Sequence, residues 1–118
     1  HPRNLTRENA LEVIHRNGLI GMNFLRAFLD NDRPEALVEH IKYGFDLQGG
    51  EDAICFGADF FYTGDFPDPS RVPYYFPEHE DATKYHPILQ ELGKDLSVEQ
   101  LNGLAHKNVE RFIASNWS

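Results

Sequence analysis

The sequence predicts an α/β fold with parallel strands, and three observations predict it. Helix, strand, helix and strand alternate over the first sixty or so residues. Two short apolar runs, 19–24 and 53–58, are each bounded by turn residues, and a strongly striped helix lies near the C-terminus. Unbroken apolar runs of this length suit strands covered on both faces, as in parallel sheets. The second run, Ala53-Ile54-Cys55-Phe56-Gly57-Ala58, stops at Asp59. In α/β barrels the C-terminal ends of such strands carry the catalytic groups, which makes Asp59 the chief candidate for chemistry. The plain alternative is an aspartate that caps the turn after a strand.

Taken in order, residues 7–18 read as the first helix. Thr6 is placed to cap its start, Glu8 suits the positive end, and Gly18 is expected as the left-handed stop. Ala10, Leu11 and Ile14 form its apolar stripe and His15 falls outside it. In the strand 19–24, Gly21 permits a close backbone approach. Asn23, near the strand's end, can either face a ligand or bond a neighbouring loop. Asp32 and Glu35 have capping-box spacing for the next helix, whose apolar positions are Leu37, Val38, Ile41 and Phe45. His40 lies beside that stripe, and Gly49-Gly50 ends the helix before the strand at 53–58.

Residues 61–81 read as a long aromatic and proline-rich loop, of the kind that lines or covers a binding site. Within it, Glu78-His79-Glu80-Asp81 reads as a solvated charge run rather than a metal cluster, because adjacent side chains rarely converge on one ion. Pro87 suits the first turn of a helix that reaches Leu92 and stops at Gly93. Ser97 and Gln100 form a second capping box. The last helix carries Leu101, Leu104, Ala105, Val109, Phe112 and Ile113 as its stripe. Asn108 lies in that apolar face and must find partners, so it is expected to tie the helix to a strand end or loop. Trp117 is expected over an edge of the core.

The totals limit the function classes. A chain of 118 residues fits one modest domain with a core of its own. With 41% hydrophobic and 25% charged residues it has the balance of a globular protein, and no apolar run is long enough to cross a bilayer. A net charge of -8 argues against a nucleic-acid partner, whose phosphates select basic surfaces. Cys55 is the only cysteine, so an intrachain disulfide or a CxxC metal site is ruled out, and its mid-strand place suits a small core residue. No signal-like segment is present; a cytoplasmic location is expected, with a membrane-anchored or secreted parent as the alternative. No phosphate loop, GxSxG or HExxH motif occurs.

Several landmarks together resemble the C-terminal part of the membrane dipeptidase (renal dipeptidase) family of the amidohydrolase superfamily. They are His1-Pro2-Arg3-Asn4-Leu5-Thr6, Ile20-Gly21-Met22-Asn23-Phe24, Phe56-Gly57-Ala58-Asp59-Phe60, Glu80-Asp81-Ala82-Thr83-Lys84-Tyr85-His86-Pro87 and Lys107-Asn108-Val109-Glu110-Arg111-Phe112. Members of that family are zinc-dependent (β/α)8 barrels that hydrolyse dipeptides. The resemblance implies that 19–24 and 53–58 are the last two barrel strands, with their flanking helices. It implies that Arg3 grips the substrate carboxylate, a task suited to the planar guanidinium fork. Asn23 and Phe60 are implied at the substrate pocket. Asp59 is implied to take a proton from the metal-bound water and give it to the departing amine.

Two departures accompany the resemblance. Where family members commonly carry Asp-Phe-Asp-Gly, this chain has Asp59-Phe60-Phe61-Tyr62 and then an aromatic insertion. The ligands for the two zinc ions of the family lie upstream of the position matching His1, so no metal ligand is assigned here. A complete barrel takes about 250 residues, and the chain is expected to be a C-terminal piece of one, inactive alone. Its expected partners are a dipeptide substrate and either the rest of the barrel or another copy of the chain in a homo-oligomer. Two alternatives stand beside this: an α/β binding module without chemistry, and a remnant that self-associates through open strand edges.

Overall fold

The structure, a computed structural model, describes residues 1–62 and 70–117; the part of the expected aromatic loop over 63–69 lies outside the described residues. Among the described residues, five α-helices and two strands are ordered α1 (Arg7–His15), β1 (Ile20–Met22), α2 (Ala36–Asp46), β2 (Ile54–Phe56), α3 (Tyr85–Leu92), α4 (Val98–Asn102) and α5 (Asn108–Asn116). β1 and β2 pair in parallel, with Ile20 opposite Ile54, Gly21 opposite Cys55 and Met22 opposite Phe56. The strands are shorter than the apolar runs, although the pairing continues past them: the Gly57 amide donates to the Met22 carbonyl at 3.0 Å and Phe24 to Ala58 at 3.4 Å.

Strand alternation turns Ile20, Met22, Ile54 and Phe56 toward the helices and Gly21 and Cys55 to the other face. Phe24, Leu37, Ile41, Ile54, Leu92 and Leu104 form the fully buried centre. Gly44 allows α2 to lie directly on β2, since a methyl group there would stand 2.8 Å from Ile54 Cδ1. Gly21 makes the close approach its sequence position implies, and its neighbour is a second glycine: a Cβ on Gly57 would stand 2.8 Å from Gly21 Cα.

Helix ends agree with the sequence in part. Thr6 accepts from the Asn9 amide, and Ser97 and Gln100 form the reciprocal capping box. The left-handed residue after α1 is Asn17 (φ 60°), not Gly18. Gly18 instead packs against Val13, where a Cβ would stand 2.8 Å from Cγ1. The expected Asp32–Glu35 box does not form: α2 has no side-chain cap, and Asp30 takes the Asp32 and Arg33 amides one turn earlier. Gly49 (φ 79°) ends the α2 region, and Pro87 sits in the first turn of α3, both as expected.

The C-terminal helical stripe is broken by a π-turn over Gly103–Lys107. The wider turn rotates the following residues around the axis. Leu104 and Asn108 therefore face inward while Ala105 and Ile113 are exposed, contrary to the uniform helical spacing. Trp117 is 70% exposed and touches Phe112 rather than covering the core. Asn108, 2% exposed, donates to the carbonyls of Glu51 (2.9 Å) and Ile54 (2.8 Å), and its oxygen accepts from Arg111 at 3.2 Å. A loop and a strand are thus both tied to α5 by one amide.

His79 corrects the reading of 78–81 as a solvated run. Glu78, Glu80 and Asp81 are exposed, but the His79 ring is buried against Phe24 and Phe76, and its Nδ1 has no hydrogen-bond partner among the described residues. The ring takes part in the aromatic layer instead of the charged surface. Burial lowers its pKa below 6.5, and Glu78 only partly opposes this.

Asn108→Ala strands the buried Ile54 carbonyl and frees the partly buried Glu51 carbonyl, and is expected to destabilise the chain by about 2–4 kcal/mol in urea denaturation. The buried neutral His79 predicts a second effect. As pH falls below 6.5 the unfolded chain takes up the proton first, so stability declines with acidification until the folded ring also protonates. Thermal melting from neutral to mildly acidic pH should show this decline. His79→Phe should reduce it, leaving the share of the half-buried His40, whose pKa is lowered the same way.

Candidate functional site

The C-terminal ends of β1 and β2 bring Asn23 and Asp59 together. The level register places these residues just beyond the last paired positions, on one rim of the sheet. Asn23 Oδ1 accepts from the Leu25 amide at 2.7 Å, which fixes the orientation of the side-chain amide. Its Nδ2 then faces Asp59 Oδ2 at 3.5 Å, a long contact. Of the two alternatives for Asn23 the structure shows the bond to the turn after its strand, while the remaining donors point toward Asp59.

Asp59 has φ 62°, in the left-handed region that non-glycine residues seldom occupy. This reverses the chain at the strand's end and leaves the side chain exposed on the rim. The conformation is secured from outside the strand, because the hydroxyl of Tyr75 donates to the Asp59 carbonyl. Phe60 follows, 38% exposed, with its ring 5.7 Å from Phe24, 5.5 Å from Tyr75 and 6.1 Å from Tyr85. An accessible carboxylate beside an aromatic wall and an amide donor can hold a polar ligand and exchange a proton with it.

Arg3 reaches the same rim by another route. It precedes α1, whose N-terminus lies at the strands' C-terminal end, as in βα units. Asn4 Nδ2 donates to the Phe28 carbonyl at 2.8 Å, in the turn just after β1. The Arg3 guanidinium lies 5.2 Å from the centre of the Phe28 ring, and His1 meets that ring edge-on at 4.8 Å. The side chain is exposed and rests on an aromatic face rather than on Asp59. The contact shown for its guanidinium is thus with Phe28 and not with the Asn23–Asp59 pair.

At the opposite end of the strands a cleft of about 570 Å³ is lined by Asn17, Leu19, Ala53 and Arg111, among others. Its two arginines already have acidic neighbours, Arg16 with Glu12 and Arg111 with Asp52. Among the described residues no three His, Cys, Asp or Glu side chains converge as a metal site.

The membrane dipeptidase family (peptidase family M19) matches residues 1–116. The chain belongs to this family. It is 30% identical over 116 residues to an uncharacterised dipeptidase of Schizosaccharomyces pombe, covering 94% of this chain and 26% of that protein. An uncharacterised protein from the pqqA 5′ region of Klebsiella pneumoniae is 38% identical over 66 residues, which is 50% of this chain and 24% of the relative. The chain therefore spans about a quarter of the length of these relatives. Among solved structures, a dipeptidase AC described as a family M19 metallopeptidase superposes with a TM-score of 0.76 at 23% identity. That match covers 98% of this chain and 32% of the other, and establishes likeness of fold.

Sequence reasoning missed Tyr75, which it had grouped with the loop aromatics. Its neighbours, Pro73 and Pro77, mark an extended segment, but its partner lies sixteen residues away and nothing local identifies it. Asp59→Gly would remove the left-handed penalty, offset in part by the greater freedom of an unfolded glycine. Chemical denaturation should show Asp59→Gly to be as stable as the parent chain or more stable, by up to about 1 kcal/mol. A loss would mean that the carboxylate itself supports the turn.

Proposed function

We propose that this chain is the C-terminal part of a (β/α)8 dipeptidase barrel, supplying its last two strands and one side of the active site. The observation that carries this reading is the position of Asp59, an exposed acid at the C-terminal end of a parallel strand in a chain of the dipeptidase family. The two-stranded sheet supports it: each strand has an outer edge without a strand partner among the described residues, where adjacent barrel strands belong. The chain's share of its relatives, about a quarter to a third, agrees with a piece of this size.

In this reading the substrate is a dipeptide. Arg3 binds its terminal carboxylate with the bidentate fork, and Asn23 donates to a substrate oxygen from the opposite side. Phe60 lines the pocket for a substrate side chain. The Asp59 carboxylate takes a proton from the water whose oxygen adds to the peptide carbonyl carbon and gives it to the amide nitrogen as the C–N bond breaks, so that a neutral amine leaves rather than a strongly basic anion. The described side chains do not converge into a site for the family's zinc pair. Zinc, if present in the whole enzyme, is held by ligands outside this chain, and the chain alone is inactive. Its immediate partner is the rest of the barrel, with pairing to a second copy as the competing use of the same open edges.

The test is Asp59→Asn in the longer polypeptide that carries this segment. Turnover of dipeptides should fall by about a hundredfold or more while bound zinc, measured by elemental analysis, stays constant. Unchanged turnover would remove Asp59 from the reaction.

A further inference from the structure

Tyr75 lies in a segment strapped across the strand-end rim. It forms an isolated antiparallel bridge with Leu25, just beyond β1. On one side of it the Arg26 amide donates to the Tyr74 carbonyl at 2.9 Å, and Arg26 Nη1 donates to the Pro73 carbonyl at 2.6 Å. On the other side the Arg26 guanidinium lies 5.4 Å from the centre of the Phe76 ring. The strap is thus fastened to the end of β1 at several points. From it the Tyr75 ring, 7% exposed, packs between Phe60 and Phe61 and delivers its hydroxyl to the turn after β2.

That hydroxyl donates to the Asp59 carbonyl, within the turn that carries Asp59 through φ 62°. A left-handed aspartate persists only where its surroundings over-determine it. Here the phenol on a separate segment, tied to the neighbouring strand, is the partner of the Asp59 carbonyl, beside the Asn23 amide and the packed Phe60 ring. Without it, the Asp59 carbonyl loses that partner and the carboxylate is held less firmly.

We propose that Tyr75 is a positioning residue for Asp59: its phenol holds the left-handed turn and so fixes where the carboxylate stands on the rim. This rests on the reading of Asp59 as the proton carrier. Tyr75 touches no reacting atom in this scheme and acts through the Asp59 backbone. Burial, then the nearby Asp59 carboxylate, raise the phenol's pKa above the ordinary tyrosine value while the Phe61 amide opposes them. The group therefore remains a donor across the neutral range.

The experiment compares Tyr75→Phe with Asp59→Asn in the longer polypeptide. Tyr75→Phe keeps the ring and removes only the hydroxyl; kcat should fall about tenfold to a hundredfold, as misplacement of a reacting group predicts, with KM changed less than about twofold. An unchanged kcat in Tyr75→Phe alongside an inactive Asp59→Asn enzyme would overturn the positioning role and leave the proton-carrier reading intact. An active Asp59→Asn enzyme would overturn both. If Tyr75→Phe fails to fold, 3-fluorotyrosine at position 75 preserves shape and hydroxyl while lowering the pH at which the phenol ionises. The alkaline fall in kcat should then move to lower pH, since a phenolate cannot donate to a carbonyl; an unmoved alkaline limb counts against the proposal.

Discussion

The level pairing of two very short parallel strands is the constraint on which the rest of this structure depends. Three residues on each side, with Ile20 opposite Ile54, suffice to bring Asn23 and Asp59 to the same rim. A slip of one residue would exchange the faces of the strand and bury the wrong side chains. The Gly21–Gly57 contact discourages such a slip, because backbone touches backbone there and no side chain could be admitted. On the other side Asn108 holds the Ile54 and Glu51 carbonyls, fixing the start of β2 against α5.

From that fixed pair the structure divides into two ends with different tasks. At the start of the strands, Asn108, Arg111 and Asp52 form a polar tie whose groups are used by one another. At the finish, an aromatic layer of Phe24, Phe60, Tyr75, His79 and Tyr85 supports a turn that carries an exposed acid. Aromatic packing of this kind supplies much buried area with few rotatable bonds, which suits a layer that must hold one turn still. The buried polar tie lies at one end of the strands and the exposed acid at the other.

Membership of the membrane dipeptidase family gives this division a chemical sense. A segment covering a quarter of its relatives cannot be expected to contain a whole reaction centre, and the described residues contain no convergent metal ligands. What the segment contains is an acid, an amide donor and an arginine arranged around one rim, with a buried phenol beneath the acid. The aromatic residues following Asp59, Phe60 and Phe61, both pack on Tyr75.

Features whose cause is local were legible in the sequence: the Thr6 cap, the Ser97–Gln100 box, the Gly49 stop, and the strand character of the two apolar runs. Asn108 was legible too, since an amide in an apolar stripe must be satisfied wherever it lies. Local rules misplaced the stop of α1, because Asn17 tolerates the left-handed conformation and Gly18 is needed for its lack of a side chain. They also passed over the π-turn, which shifts Ile113 and Trp117 outward through packing at Gly103 and Asn108 that helical periodicity does not contain. By itself, then, the sequence determined the parallel α/β class, the caps at Thr6 and Ser97 and the acid at the strand's end, all of which follow from residue type and near neighbours, whereas the Asp32–Glu35 box it also offered does not form. Only the tertiary structure decided that His79 is buried, that Asn23 turns its donors toward Asp59, and that Tyr75 holds the turn beneath it. Each of those depends on groups distant in the chain, brought together only once the strands have paired.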